Sequence, residues 1–417
     1  MTIPRQVIVV AIATAVSLLG DSTLYVVLPT HADQLGIKLV FVGIILSVNR
    51  FVRLITNSVA GYVHDYLGRW WHFVAALFVG ACTTATYGLF WGFWAFLIAR
   101  MVWGTCWSFI RLEGYASVVQ YASEQNRGML MGIYKSISGV GFFAGSLFSG
   151  ILTDSIGFRN CLLVFATVTF LGTVVTFLEL LRNRPPKEET GTKREESRKS
   201  AVDSLSSNRQ LSGYAFLIWQ HWRIYYTSFV NILANGSITS STLGLLIKTR
   251  FGEGVRFIGI TVKAASLTGI LLALRWCMSF FFSPIFGHIT DRVGRKFVLR
   301  LGLIIGVVAL SILVTQNHFL WISAAAVLAA TARAAVSVSL DTSIADIASV
   351  GQRGKTISVY ATVTDLGSAI GPLVSYLVSE RIGAQLGLER IYLVGIALLI
   401  SALLTSIGFK SGNQPAR

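Results

Sequence analysis

The chain has 417 residues, of which 53% are hydrophobic and only 13% charged, and its formal net charge is +16. Soluble domains carry about 25% charged residues, so this composition argues against a string of soluble domains. A positive surplus can mark a nucleic-acid binder, but here the charge sits in short loops between long apolar runs, and nucleic acid is excluded as a partner. The four cysteines, Cys82, Cys106, Cys161 and Cys277, are scattered through apolar runs without metal-ligand spacing, so neither metal nor cofactor is expected.

A bilayer-spanning helix needs about 20 mostly apolar residues. In chain order such runs lie at 6–28, 40–63, 72–91, 95–121, 128–152, 159–182, 222–247, 262–288, 297–315, 320–346, 354–379 and 390–409. The first follows MTIPRQ, passes through Asp21 and has no small-residue cleavage site, so it is expected to be a retained span and not a signal peptide. Span two carries Asn49, Arg53 and Asn57 at four-residue spacing, a polar stripe on one helix face with Arg50 beside it. Span four holds Arg100, Arg111 and Glu113, and span five holds Lys135. A polar, charged stretch then separates span six from span seven, and its composition predicts a disordered linker over 183–221. It divides the chain into a six-helix bundle over 1–182 and another over 222–417. Within the second, Asn235, Arg275, Arg333 and Asp365 fall in spans seven, eight, ten and eleven. The fold class expected is all-α integral membrane, with twelve transmembrane helices in two pseudo-symmetric six-helix bundles.

An even number of spans puts both termini on one side. The loops on that side hold 20 lysines and arginines and the opposite loops 7. The positive-inside rule therefore predicts cytoplasmic termini, in the cytoplasmic (inner) membrane.

Sliding the sequence on itself by 226 residues, without a gap, brings charged loop residues into register. Gly61, Asp65, Gly68 and Arg69 fall on Gly287, Asp291, Gly294 and Arg295; Arg127 and Gly128 fall on Arg353 and Gly354; Ile156 and Gly157 fall on Ile382 and Gly383. A shift of six helices relates the halves by an axis along the membrane normal.

The loop GHITDRVGRK, through Gly287, Asp291, Arg292, Gly294, Arg295 and Lys296, resembles the signature G-x-x-x-D-R/K-x-G-R-R/K of the major facilitator superfamily. GYVHDYLGRW resembles it at Gly61, Asp65, Gly68 and Arg69 and departs at Tyr66 and Trp70. The resemblance implies secondary transport by alternating access, and a latch role for these residues. Two partial matches accompany it. Arg100 and Gly104 resemble R-x-x-Q-G with Trp103 in place of glutamine, and Gly367, Gly371 and Pro372 resemble the antiporter G-x-x-x-G-P, displaced to span eleven. Both imply proton coupling, the second by antiport.

Ionisable groups inside spans are costly, and are functional candidates by default. At about 1.5 Å per residue, Arg50, Arg275, Arg333, Asp365 and Asn235 lie within about 3 Å of the midplane. Asp21 lies somewhat outward, and Glu113 and Lys135 somewhat toward the cytoplasm. The substrate-binding candidates are Asp21, Asn49, Arg50, Arg53, Asn235, Arg275 and Arg333, and the proton-coupling candidates are Asp21, Arg100, Glu113 and Asp365. Arg50 and Arg275 are expected to approach the centre from opposite halves, Glu113 to pair with Lys135, and Asp365 to neutralise Arg275 or Arg333.

Bases exceed acids inside the spans by 8 to 4. Uncompensated cations in a low dielectric call for an anion, and arginine suits phosphate or carboxylate. The expected function is a monomeric, proton-coupled secondary transporter of a small anion or anionic amphiphile, in contact with membrane lipids. Export of drug-like or cationic compounds, lipid flipping and non-transporting sensing remain alternatives. No P-loop, H-E-x-x-H or G-x-S-x-G motif points to an enzyme.

Overall fold

The computed structural model describes residues 4–67, 70–121, 127–182, 219–252, 254–257, 260–347 and 353–407. Among the described residues, twelve helices are long and apolar enough to cross a membrane. The first six are α1 (Arg5–His31), α2 (Leu39–Leu67), α3 (Trp71–Leu89), α4 (Phe93–Tyr121), α5 (Arg127–Ile156) and α6 (Phe158–Arg182). The second six are α7 (Trp222–Phe251), α8 (Ala264–Val293), α9 (Arg295–Thr315), α10 (Phe319–Ile347), α11 (Arg353–Ile382) and α12 (Ala384–Ser406). In lipid every backbone group must be satisfied within its own segment, which is why apolar runs of this length become helices. Ser and Thr within them turn their hydroxyls onto the carbonyl one turn back, as Thr14 does to Val10 and Thr268 to Ala264, both at 2.7 Å.

Two helix starts bear on the sequence expectation. Span eight starts at Ala264 and not at 262, because the preceding residues belong to β2 (Ile260–Lys263), which pairs antiparallel with β1 (Gly254–Phe257). Span twelve starts at Ala384, six residues before the expected 390, set off by Gly383 at φ 90°. Gly157, its repeat mate 226 residues earlier, has φ 82° between α5 and α6. Both take a left-handed backbone that only glycine adopts freely, so the repeat is preserved in turn geometry. The expected linker lies outside the described residues over 183–218.

Packing repeats as well. α1 lies on α5, α2 on α4 and α3 on α6; six helices on, α7 lies on α11, α8 on α10 and α9 on α12. The halves meet along two seams, α2 with α11 and α5 with α8, and through α1 with α7. At the end remote from the termini these seams are tight. A Cβ on Gly43 would stand 2.7 Å from the carbonyl oxygen of Pro372, one on Gly150 2.4 Å from that of Ala265, and one on Gly244 2.9 Å from Pro29. Glycine at these places lets helices of opposite halves touch through their backbones. Toward the termini, a Cβ on Gly61, Gly132 or Gly287 would meet nothing within 4 Å.

Candidate functional site

Three groups of buried charge lie at mid-depth. The first is in the first half. Asp21 of α1 forms an ion pair with Arg100 of α4, whose side chain is wholly buried, and accepts from Trp103 Nε1 at 2.7 Å. Tyr25, one turn along α1, has the Arg100 guanidinium 5.5 Å from its ring centroid, and its hydroxyl accepts from Arg50 Nη2 at 3.1 Å. These contacts account for the unusual motif in span four. Trp103 replaces glutamine but keeps an N–H donor for Asp21. Gly104 brings α4 onto the backbone of α2, where a Cβ would stand 2.5 Å from the Asn49 carbonyl oxygen.

The second group crosses between the halves. Asp365 of α11 accepts from Arg53 of α2 at 2.6 Å and lies 3.7 Å from Arg111 of α4. The expectation that Asp365 would neutralise Arg275 or Arg333 is corrected: α11 packs on α2, and it is the stripe residue Arg53 that Asp365 meets.

The third group belongs to the second half. Residues Ile232–Ile238 of α7 form a π-helix, a wider turn that alters which carbonyls are engaged and that recurs at functional sites. Arg275 donates to the carbonyl oxygens of Asn235 at 2.8 Å, Gly236 at 3.4 Å and Ala326 at 3.3 Å. It therefore pins α8 to α7 and α10. Asn235 is fully buried, and its amide donates to Asn231 at 3.1 Å. Arg333 of α10 donates to Ser279 Oγ at 3.4 Å and stands 5.7 Å from the Trp276 ring.

The expected convergence of Arg50 with Arg275 is thus also corrected. Arg275 is held by carbonyls of its own half, and Arg50 donates to Tyr25 within the first half. Among the described residues neither Arg50, Arg275 nor Arg333 forms a salt bridge. The expected pairing of Glu113 with Lys135 is replaced as well. Glu113 is buried, accepts from Ser117 Oγ at 3.1 Å and lies 3.5 Å from His72 of α3, while Lys135 is exposed.

Of the expected latch residues, Gly68 and Arg69 lie outside the described residues, as do the side chains of Asp65 and Asp291. Gly61 and Gly287 face open space. Gly294 ends α8 at φ 99°, Arg292 is exposed, Lys296 is half-buried, and Arg295 donates to the Thr342 carbonyl in the last turns of α10 at 3.3 Å. A cation there complements the negative end of the helix. Sequence reasoning missed Phe142, which stacks on Trp276 across the α5–α8 seam, and His72 beneath Glu113. It also missed the π-helix, for which the only hint was the Asn235-Gly236 pair inside an apolar span.

Two six-helix halves repeated in packing, with buried charge at mid-depth between them, define a polytopic membrane transporter fold. The family model of the Major Facilitator Superfamily matches residues 10–277 and again 259–415. The chain belongs to that family, as a secondary transporter of the membrane. It is 22% identical over 400 residues to multidrug resistance protein MdtG of Proteus mirabilis, covering 95% of this chain and 93% of the relative. It is 23% identical over 381 residues to an uncharacterized MFS-type transporter of Methanocaldococcus jannaschii, covering 91% and 92%. Among solved structures, a bacterial homolog of the human lysosomal transporter Spinster, inward-facing and occupied, superposes with a TM-score of 0.75 at 15% identity, over 96% of this chain and 95% of that one.

Proposed function

We propose that the cargo is a small anion or anionic amphiphile, moved by alternating access and coupled to protons. The observation that carries this is the charge at mid-depth. Six arginines, Arg50, Arg53, Arg100, Arg111, Arg275 and Arg333, share two ion-paired carboxylates, Asp21 and Asp365. A buried cation without a counter-charge is expensive in a bilayer, and an anion lodged between Arg50 and Arg333 would supply one from the centre. Asn49 and Asn235 border the same level.

Proton coupling is assigned to the two paired carboxylates, with Arg100 as the partner of Asp21. Asp365 is the more telling of them. An anion that draws Arg53 or Arg111 away competes with Asp365 for the same cations. Substrate and proton are linked in this way without touching. Glu113, against His72, is a further protonation site away from that path.

With both termini in the cytoplasm, the side favoured by the basic loops, the tight seams lie at the outer face. The chain works as a monomer in contact with lipid. A second reading, export of drug-like compounds, is favoured by those curated relatives that are named multidrug resistance protein MdtG.

A thermal-shift screen of the purified protein against anions, cations and lipids tests the cargo class, since a ligand that binds only the folded state stabilises it. Anions are expected to raise the unfolding temperature most. A cation as the best ligand would overturn the anion reading in favour of the drug reading.

A further inference from the structure

Between the first and third charge groups runs an unbroken series of aromatic rings. Trp103, whose indole N–H is on Asp21, lies 6.3 Å from Trp107 on the same helix. Trp107 lies 6.4 Å from Phe142 of α5, edge to face. Phe142 stacks on Trp276 of α8 at 4.4 Å, with the ring planes only 10° apart. Trp276 in turn carries the Arg333 guanidinium. Under the repeat Trp276 occupies the place of Arg50, and Phe142 that of Ser368. The stack is therefore peculiar to the α5–α8 seam and is not imposed by the symmetry of the fold. The other seam, α2 with α11, carries the Arg53–Asp365 ion pair at comparable depth.

The two seams differ in kind. An ion pair is specific to its partner, whereas a face-to-face stack accepts any flat ring of similar width. Trp107, Phe142 and Trp276 are half-buried, unlike the enclosed Trp103, so the indole of Trp276 keeps partly open surface beside a guanidinium. That pairing, one flat apolar face next to one planar cation, is selective in both respects. An alkyl chain would forfeit the stack, and an aromatic cation would meet Arg333.

The geometry points to a flat aromatic anion as the cargo class: its ring stacks on Trp276 in the place of Phe142, and its charged group rests on Arg333. This rests on the anion reading above and narrows it. When the halves rock apart, the α5–α8 seam opens. Phe142 and Trp276 then part, and the ligand ring keeps the indole covered. The stack thus makes the ligand a contact in one state that the protein makes for itself in the other, which is the differential interaction that shifts a conformational equilibrium.

The test uses the full-length protein and two sulfonates of equal charge, naphthalene sulfonate and octane sulfonate, with a naphthyl quaternary ammonium as the third probe. Stacking is expected to make naphthalene sulfonate bind about 3- to 10-fold tighter than octane sulfonate. Trp276→Leu should abolish that ratio while Phe142→Leu preserves it. Arg333→Gln should weaken both sulfonates by about 10-fold or more. Equal affinity for the two sulfonates in the unaltered protein would overturn the inference and leave the anion reading standing, and this outcome does not depend on any variant folding. Binding of the ammonium probe with no binding of either sulfonate would overturn both.

Discussion

Asp154 sits near the remote end of α5, yet one of its carboxylate oxygens accepts the backbone N–H of Ser266 in the first turn of α8, at 2.7 Å. Lys263 of β2 donates to its backbone carbonyl at 3.0 Å. The first amides of a helix have no partner within the helix, and a capping carboxylate normally comes from the residue just before it. Lys263 occupies that position and offers no side-chain cap. The cap is supplied from the other half, so it can exist only while the seam is shut. Such a contact contributes about 0.5–2 kcal/mol, and Asp154→Ala should shift the equilibrium toward the shape open at that end by about 2- to 30-fold. Asp33 to Lys248 crosses the halves at 2.7 Å too, but the Asp33 side chain is 85% exposed. An exposed pair is worth little, so Asp33→Ala serves as the internal comparison and should shift the equilibrium less. Asp154→Asn should recover part of the effect, because an amide oxygen can still accept. Spin labels at Gln34 and Arg256, on opposite halves at the same end, would report the distance distribution by pulsed resonance. An unchanged distribution in Asp154→Ala, or a larger shift in Asp33→Ala, would refute the reasoning.

Other expectations follow from the same contacts. Asp365→Asn leaves Arg53 and Arg111 without their carboxylate, and loss of a buried partner costs about 3–5 kcal/mol; a thermal unfolding temperature equal to that of the unaltered protein would contradict this. Gly104→Ala forces α4 off α2, because its Cβ would stand 2.5 Å from the Asn49 carbonyl oxygen, and should destabilise by about 1–3 kcal/mol. Gly139→Ala, with nothing within 4 Å, should be harmless in the same unfolding assay. A cysteine placed at Ser200, in the expected linker, should resist labelling from outside intact cells, and labelling there would reverse the orientation.

The sequence alone determined the number of spans, their depth and the two-fold repeat. The reason is that a bilayer imposes one rule on every segment: about 20 apolar residues, helical, with any charge a marked exception. The register of Gly157 with Gly383 was legible for the same reason, since a turn that requires a left-handed backbone admits few residues. Position along the chain fixes height in the membrane at about 1.5 Å per residue, and this is how Arg50, Arg275, Arg333 and Asp365 could be placed on one level. Height does not fix which helices are neighbours. Asp365 and Arg275 share a level, but Asp365 meets Arg53 because α11 packs on α2, while Arg275 turns to the π-helix of α7. Phe142 and Trp276 are likewise unremarkable in two apolar runs until the α5–α8 seam lays one ring on the other. Azimuth around each helix, and the partner it faces, come from close packing between segments far apart in the chain. Those contacts, decided only by the tertiary structure, turn a level of charges into a site.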